Sequence, residues 1–257
     1  MCELFALNAK EPVNANECLR TFFSHSELHP HGWGIAWRDE NGVTLTKEPV
    51  RAIDSDYLGA LLQTPLRHTH LLAHIRLATI GVTHRHNCHP FVEEDESGLN
   101  WVMIHNGTVF NDALTTGYER LEEGNTDSER VILFLMDLLD AAEQRHGGEL
   151  DFAERFDVLG SALAKLSNGN KLNIILDDGT YLYVHTNTMN KTLYVKQAPG
   201  VALFSTQPLD DDPDWEPLPT AQLRAYRDGE LVREAAPHGN IFVECAIENY
   251  LLLQTSA

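Results

Sequence analysis

The clearest periodic signal in the chain runs from Asp127 to Arg145. There Val131, Phe134, Leu135, Leu138, Leu139 and Ala142 recur at the i, i+3, i+4 spacing of a helix with one buried face, and His146-Gly147-Gly148 ends it. A second stretch, Asp151 to Ser167, places Phe152, Phe156, Leu159, Leu163 and Leu166 on one side and predicts a partner helix. Ala15 to Ser24, with Leu19, Phe22 and Phe23, and Asp54 to Leu62 predict two shorter helices.

Other segments change period. Residues 2 to 9 read as a strand, and Leu71 to Ile75 and Trp101 to His105 as buried strands ending at the Arg76 and Asn106 blocks. Trp33 to Trp37 and Val43 to Lys47 flank Asp39-Glu40-Asn41-Gly42, which predicts a hairpin. Further β-rich runs follow at Leu172 to Leu176, Tyr181 to His185, Thr192 to Lys196, Val201 to Ser205 and Leu223 to Arg227. Acidic 210 to 214 reads as a surface loop. Strands, two packed helices and then more strands point to two stacked sheets covered by helices, an α+β class. No linker-like composition interrupts the chain, so a single domain over 1–257 is expected.

Composition narrows the function classes. Of 257 residues, 43% are hydrophobic and 22% charged, enough apolar material for a sizeable core. A net charge of -19 argues against nucleic acid or an anionic membrane as partner, because phosphate binding needs concentrated basic surface. No run approaches the ~20 apolar residues of a membrane span, and the N-terminus lacks a signal-peptide pattern, so a cytoplasmic location is expected. Cysteines at 2, 18, 88 and 245 have no paired spacing and read as thiols.

Several positions carry candidate chemistry beside ordinary structural readings. Cys2 could pack in a core, but after removal of Met1 it would carry both a thiol and a free α-amine of pKa about 8, a nucleophile and a base on one residue. Arg76 follows an apolar strand, which suits either an internal ion pair or a charge facing a cleft. Asn106-Gly107 alone would be a turn, yet it follows an apolar strand. Thr126-Asp127-Ser128-Glu129 fits a capping box, with Thr126 as N-cap and Glu129 returning to its N–H. His84, His86, Cys88 and His89 could supply three metal ligands. His29, His31, Trp33 and Trp37 read as packing, and no nucleotide fingerprint or P-loop is present.

Taken together, Cys2, the block His74-Ile75-Arg76-Leu77-Ala78-Thr79-Ile80-Gly81, Asn87-Cys88-His89-Pro90-Phe91, Trp101 to Gly107 and Gly124 to Glu129 resemble the class II glutamine amidotransferases from Cys2 to about Asn190. The His29 to Trp37 segment resembles the compact stand-alone, YafJ-like subgroup. The resemblance implies a four-layer αββα N-terminal-nucleophile sandwich and a glutaminase-type activity through a Cys2 γ-glutamyl thioester. It implies an oxyanion hole from Asn106 and Gly107. Arg76 and Thr79 would take the α-carboxylate and Asp127 the α-ammonium, with residues 80 to 86 as a lid. Many members carry His where this chain has Ile80, so any side-chain contact from there is lost. The family uses no metal and needs no cofactor, and Asn-x-His-Pro is a structural turn in it. The family's usual synthase half is not recognisable here. That leaves a glutaminase subunit working with a separate synthase subunit, a hydrolase of other γ-glutamyl amides with residues 29 to 37 walling the leaving-group side, or, with Met1 retained, a non-catalytic γ-glutamyl-binding subunit.

Overall fold

A computed structural model of the chain describes residues 2–190 and 192–244. Thirteen strands and four α-helices follow in order: β1 (Glu3–Asn14), α1 (Asn16–Ser24), β2 (Trp33–Asp39), β3 (Gly42–Glu48), α2 (Asp56–Leu61), β4 (Arg67–Ile75), β5 (Phe91–Glu94), β6 (Asn100–Thr108), α3 (Asp127–His146), α4 (Phe152–Leu166), β7 (Lys171–Asp177), β8 (Leu182–Thr186), β9 (Tyr194–Ala198), β10 (Val201–Ser205), β11 (Trp215–Pro217), β12 (Gln222–Arg227) and β13 (Glu230–Glu234). They build a seven-stranded sheet ordered β11-β9-β10-β1-β4-β2-β3 and a six-stranded sheet ordered β13-β12-β8-β7-β6-β5, with every adjacent pair antiparallel.

Alternation along the central strands sorts side chains into layers. On β1, Phe5, Leu7 and Ala9 join Leu19, Phe22 and Phe23 of α1 and Leu58 of α2 in an outer core, whereas Leu4 and Ala6 face the other way. On β6, Trp101 and Met103 pack under α3 and α4, while Val102 and Ile104 meet Leu4, Ala6 and Leu72 between the sheets. The four layers expected from the resemblance, helices outside two stacked antiparallel sheets, are the architecture found. Cys2, Arg76 and Asn106 continue the even, inward-facing series at one end of the inter-sheet layer. Leu4 pairs with His74 in the β1–β4 register, so these strand ends are side by side.

The hairpin turns at Glu40–Asn41, with Gly42 at φ 103°. The acidic segment 210 to 214 is a loop, and Asp210 accepts hydrogen bonds from Lys196 and the Trp215 indole. Two expectations need correction. β6 does not stop before Asn106 but runs through Asn106 and Gly107, which pair with Asn173 and Leu172 of β7, so the pair is strand and not a turn. The capping box of α3 is half formed: Thr126 Oγ1 accepts the Glu129 N–H, but the Glu129 carboxylate accepts from the Glu123 and Gly124 N–H groups instead of Thr126. Phe91–Glu94, Trp215–Pro217 and Glu230–Glu234 are additional short strands. Cys245 and Met1 lie outside the described residues.

Candidate active site

Cys2, Arg76, Thr79, Gly107 and Asp127 line one cavity of about 20 Å³ with Leu77, Ala78, Ile80, His89, His105, Thr126 and Ser128. Such a space holds about one water molecule. Cys2 Sγ lies 3.4 Å from both the amide nitrogen and the carbonyl oxygen of Leu77, a residue just past the end of β4. Burial raises the thiol pKa; the Leu77 hydrogen bond and the Arg76 charge act the other way, and Asp127 adds to the rise.

Arg76 has no carboxylate partner within 4.0 Å among the described residues, so the internal ion pair allowed by its position is not made. Its guanidinium donates to the carbonyls of Ile80 (2.8 Å), Val82 (3.0 Å) and Gly81 (3.2 Å). Ile80 therefore contributes its backbone, whatever its side chain cannot do. That segment is held from below by Asn87, whose Nδ2 donates to Val82 O (2.8 Å) and to Asn125 Oδ1 (2.6 Å).

Asp127 occupies the first turn of α3, and its carboxylate accepts from the N–H groups of Val109 (2.8 Å) and Ser128 (3.0 Å). Thr79 lines the cavity. The Asn106 Nδ2 is buried with no hydrogen-bond partner among the described residues, on the strand that also brings Gly107 to the cavity. Gly107 is required by packing within the sheet: a Cβ there would lie 1.9 Å from Lys171 O and 2.4 Å from His105 Nε2.

The sequence assigns no site role to His105 or Ser128, offers His89 as a metal ligand or part of a structural turn, and offers His31 as packing. His105 Nδ1 and Ser128 Oγ are 2.9 Å apart, and both sit directly beside motif residues. His89 is buried, lies against His74 with 4.1 Å between ring centroids and the rings tilted by 30°, and has neither ring nitrogen partnered among the described residues. His31, expected to be packing, accepts the Ala78 N–H through Nδ1 at 2.9 Å. The metal reading of His84, His86, Cys88 and His89 finds no converging set. His84 and His86 stack at the surface with His86 paired to Glu123, Cys88 points at backbone carbonyls, and His89 turns inward. Among the described residues no three such side chains could share a metal ion, and no helix is long and apolar enough to cross a membrane.

The chain is similar to several known proteins. YafJ of Escherichia coli (strain K12) is 28% identical over 270 residues, covering 90% of this chain and all of that protein. The gamma-glutamyl-hercynylcysteine sulfoxide hydrolase of Mycolicibacterium smegmatis is 28% identical over 212 residues, 81% of this chain and 82% of the relative. The fold matches the Bacillus subtilis glutamine phosphoribosylpyrophosphate amidotransferase with a TM-score of 0.68 at 16% identity, covering 96% of this chain and 52% of that one. The family model for class II glutamine amidotransferases matches residues 1–201, and the chain belongs to that family.

Proposed function

We propose that the protein hydrolyses the side-chain amide of glutamine through a thioester on Cys2. The Cys2 thiolate attacks the amide carbon, and Asn106 Nδ2 and the Gly107 N–H hold the oxyanion. The Cys2 α-amine, having taken the thiol proton, passes it to the departing ammonia. Water then attacks the γ-glutamyl thioester, releasing glutamate and restoring the thiol. Arg76, with Thr79 beside it, takes the α-carboxylate and Asp127 the α-ammonium, so the head group is read by one fixed charge of each sign. The observation carrying this reading is the single cavity lined by Cys2, Arg76, Thr79, Gly107 and Asp127, residues 125 positions apart in sequence at the extremes. Because that cavity is far smaller than glutamine, binding requires residues 79 to 82 to move outward and Arg76 to exchange their carbonyls for the ligand's carboxylate.

A second reading, hydrolysis of γ-glutamyl amides bulkier than glutamine, is favoured by the name of the mycobacterial relative. Both readings share the acyl-enzyme and differ only in the leaving amine. The test is ammonia release from glutamine, kcat/KM for glutamine against γ-glutamyl dipeptides, and the intact mass of the active preparation. We expect the active species to begin at Cys2 and Cys2→Ser to bind substrate without turnover. Full activity in protein that quantitatively retains Met1 would overturn the mechanism. Retained Met1 with binding but no turnover would favour a regulatory subunit, and glutaminase activity stimulated by a co-purifying protein, with no dipeptide cleaved, a two-protein amidotransferase.

A further inference from the structure

At one edge of the sandwich the outermost strand of each sheet, β3 and β5, meets the start of α3 around a cavity of about 380 Å³. It shares no lining residue with the Cys2 cavity, and its volume falls in the range of about 300 to 1,000 Å³ over which pockets bury small ligands. Side chains two apart on each strand enter its wall together: Leu45 with Lys47 from β3, and Phe91 with Glu93 from β5. Glu129 and Leu133, one turn apart on α3, add a carboxylate and an apolar side chain.

Part of the charge in this wall is already used. Both oxygens of the Glu129 carboxylate accept backbone N–H groups, from Glu123 (2.6 Å) and Gly124 (2.9 Å), and Glu123 itself pairs with His86 at 2.8 Å. Three charged groups remain. Lys47 Nζ has neutral partners, the Pro90 carbonyl at 3.3 Å and the Phe91 ring face at 4.9 Å to the centroid. Arg85 donates through Nε to the Lys47 carbonyl at 3.3 Å. Neither cation, nor the Glu93 carboxylate, has an opposite charge within 4.0 Å among the described residues. Burial pulls the Lys47 pKa down and pushes that of Glu93 up, in each case against the charged form. Lys47 and Glu93 thus face one cavity, both half-buried, too far apart to pair with each other.

A ligand that answers both charges carries an anion and a cation, and the walls between them are apolar. We propose that this cavity binds a free amino acid with an apolar side chain, its carboxylate on Lys47 and Arg85, its ammonium on Glu93, and its side chain against Leu45, Phe91 and Leu133. A singly charged ligand would leave one of the two half-buried charges unanswered.

Isothermal titration calorimetry with L-leucine and L-phenylalanine tests the site, and no readout depends on glutamine turnover. We expect at least one of them to bind, and its N-acetyl and amide derivatives, each lacking one charge, to bind about tenfold more weakly or worse, the worth of one charge-assisted hydrogen bond. Lys47→Met keeps the stem that packs on Phe91 and Glu93→Gln keeps the shape of the side chain, so each should weaken binding by a similar factor with a melting temperature near that of the wild type. The Arg76 and Asp127 pair could also read an amino acid, so the Cys2 cavity needs its own control. Saturating amino acid should leave the rate of Cys2 alkylation by iodoacetamide unchanged, followed on the Cys2 peptide by mass spectrometry. If a variant folds poorly, the derivative series and the alkylation rate on the wild-type protein decide the question. Absence of binding by both amino acids up to millimolar concentration, derivatives that bind as well as the parent, full binding in well-folded Lys47→Met and Glu93→Gln, or protection of Cys2 would each overturn the proposal.

Discussion

At the residue scale, Arg76 holds the most information. A guanidinium presents five donors, and here its two terminal nitrogens make three hydrogen bonds to backbone carbonyls, neutral acceptors that bind it less strongly than a carboxylate. A ligand carboxylate can therefore displace them with a net gain and release the 80–82 segment in the same event. Lysine could keep the charge but not the fork, so Arg76→Lys should raise KM for glutamine by roughly 10- to 100-fold, the worth of one or two charge-assisted hydrogen bonds. kcat should change much less, because the head group lies away from the bond that breaks. Steady-state kinetics check this, and an Arg76→Ala variant with unchanged KM but a lowered melting temperature would make Arg76 a structural residue only.

Among the elements, β6 shows where sequence reasoning worked and where it stopped. Its apolar run announced the strand, and α3, α4 and the 33–48 hairpin were equally legible, because their periodicity or turn chemistry is local. The continuation of β6 through Asn106-Gly107 was not, because its partner is β7, more than sixty residues on. The short strands β5, β11 and β13 failed for the same reason: few residues, with pairing decided by a neighbour. His31 was read as packing because its partner, Ala78, lies 47 positions away, and the Glu129 carboxylate was misassigned because the loop before α3 folds back and supplies competing N–H donors. What a motif makes adjacent in sequence was legible; what the fold makes adjacent was not. The Gly107 contacts give a test of the β6–β7 pairing. Gly107→Ala should destabilise by about 3 kcal/mol or prevent folding, since a methyl cannot fit against backbone. Gly148→Ala, where nothing lies within 4 Å of the added carbon, is the control. Equal melting temperatures for the two variants would refute the tight strand contact.

For the molecule as a whole, stacking two sheets and covering both with helices buries an unusual set of histidines. His74, His89, His105 and His185 are each 3% exposed or less, and burial pushes the pKa of all four down, that of His185 to about 3. In the unfolded chain they titrate near the ordinary value of about 6.5. Between that value and each depressed folded value the unfolded state binds more protons, so stability rises with pH across the window and is lost on acidification. The loss begins as pH falls through about 6.5 and, for His185, continues to about pH 3. Two effects oppose it. Half-buried Glu93 and buried Asp178 have raised pKa values and would favour the folded state once protonated, and a net charge of -19 repels itself less as carboxylates titrate. Both act chiefly nearer the carboxylate range, so the histidines govern the first stretch below neutrality. We expect the melting temperature to fall by roughly 5–10 °C between pH 7 and pH 5.5, with His185→Gln giving a shallower slope whatever its own stability. A flat profile over that range, or an unchanged slope in the variant, would mean that these rings are not held neutral by burial. Because His89 and His105 line the cavity with Cys2, the same acidification should loosen the end of the sandwich that carries Cys2.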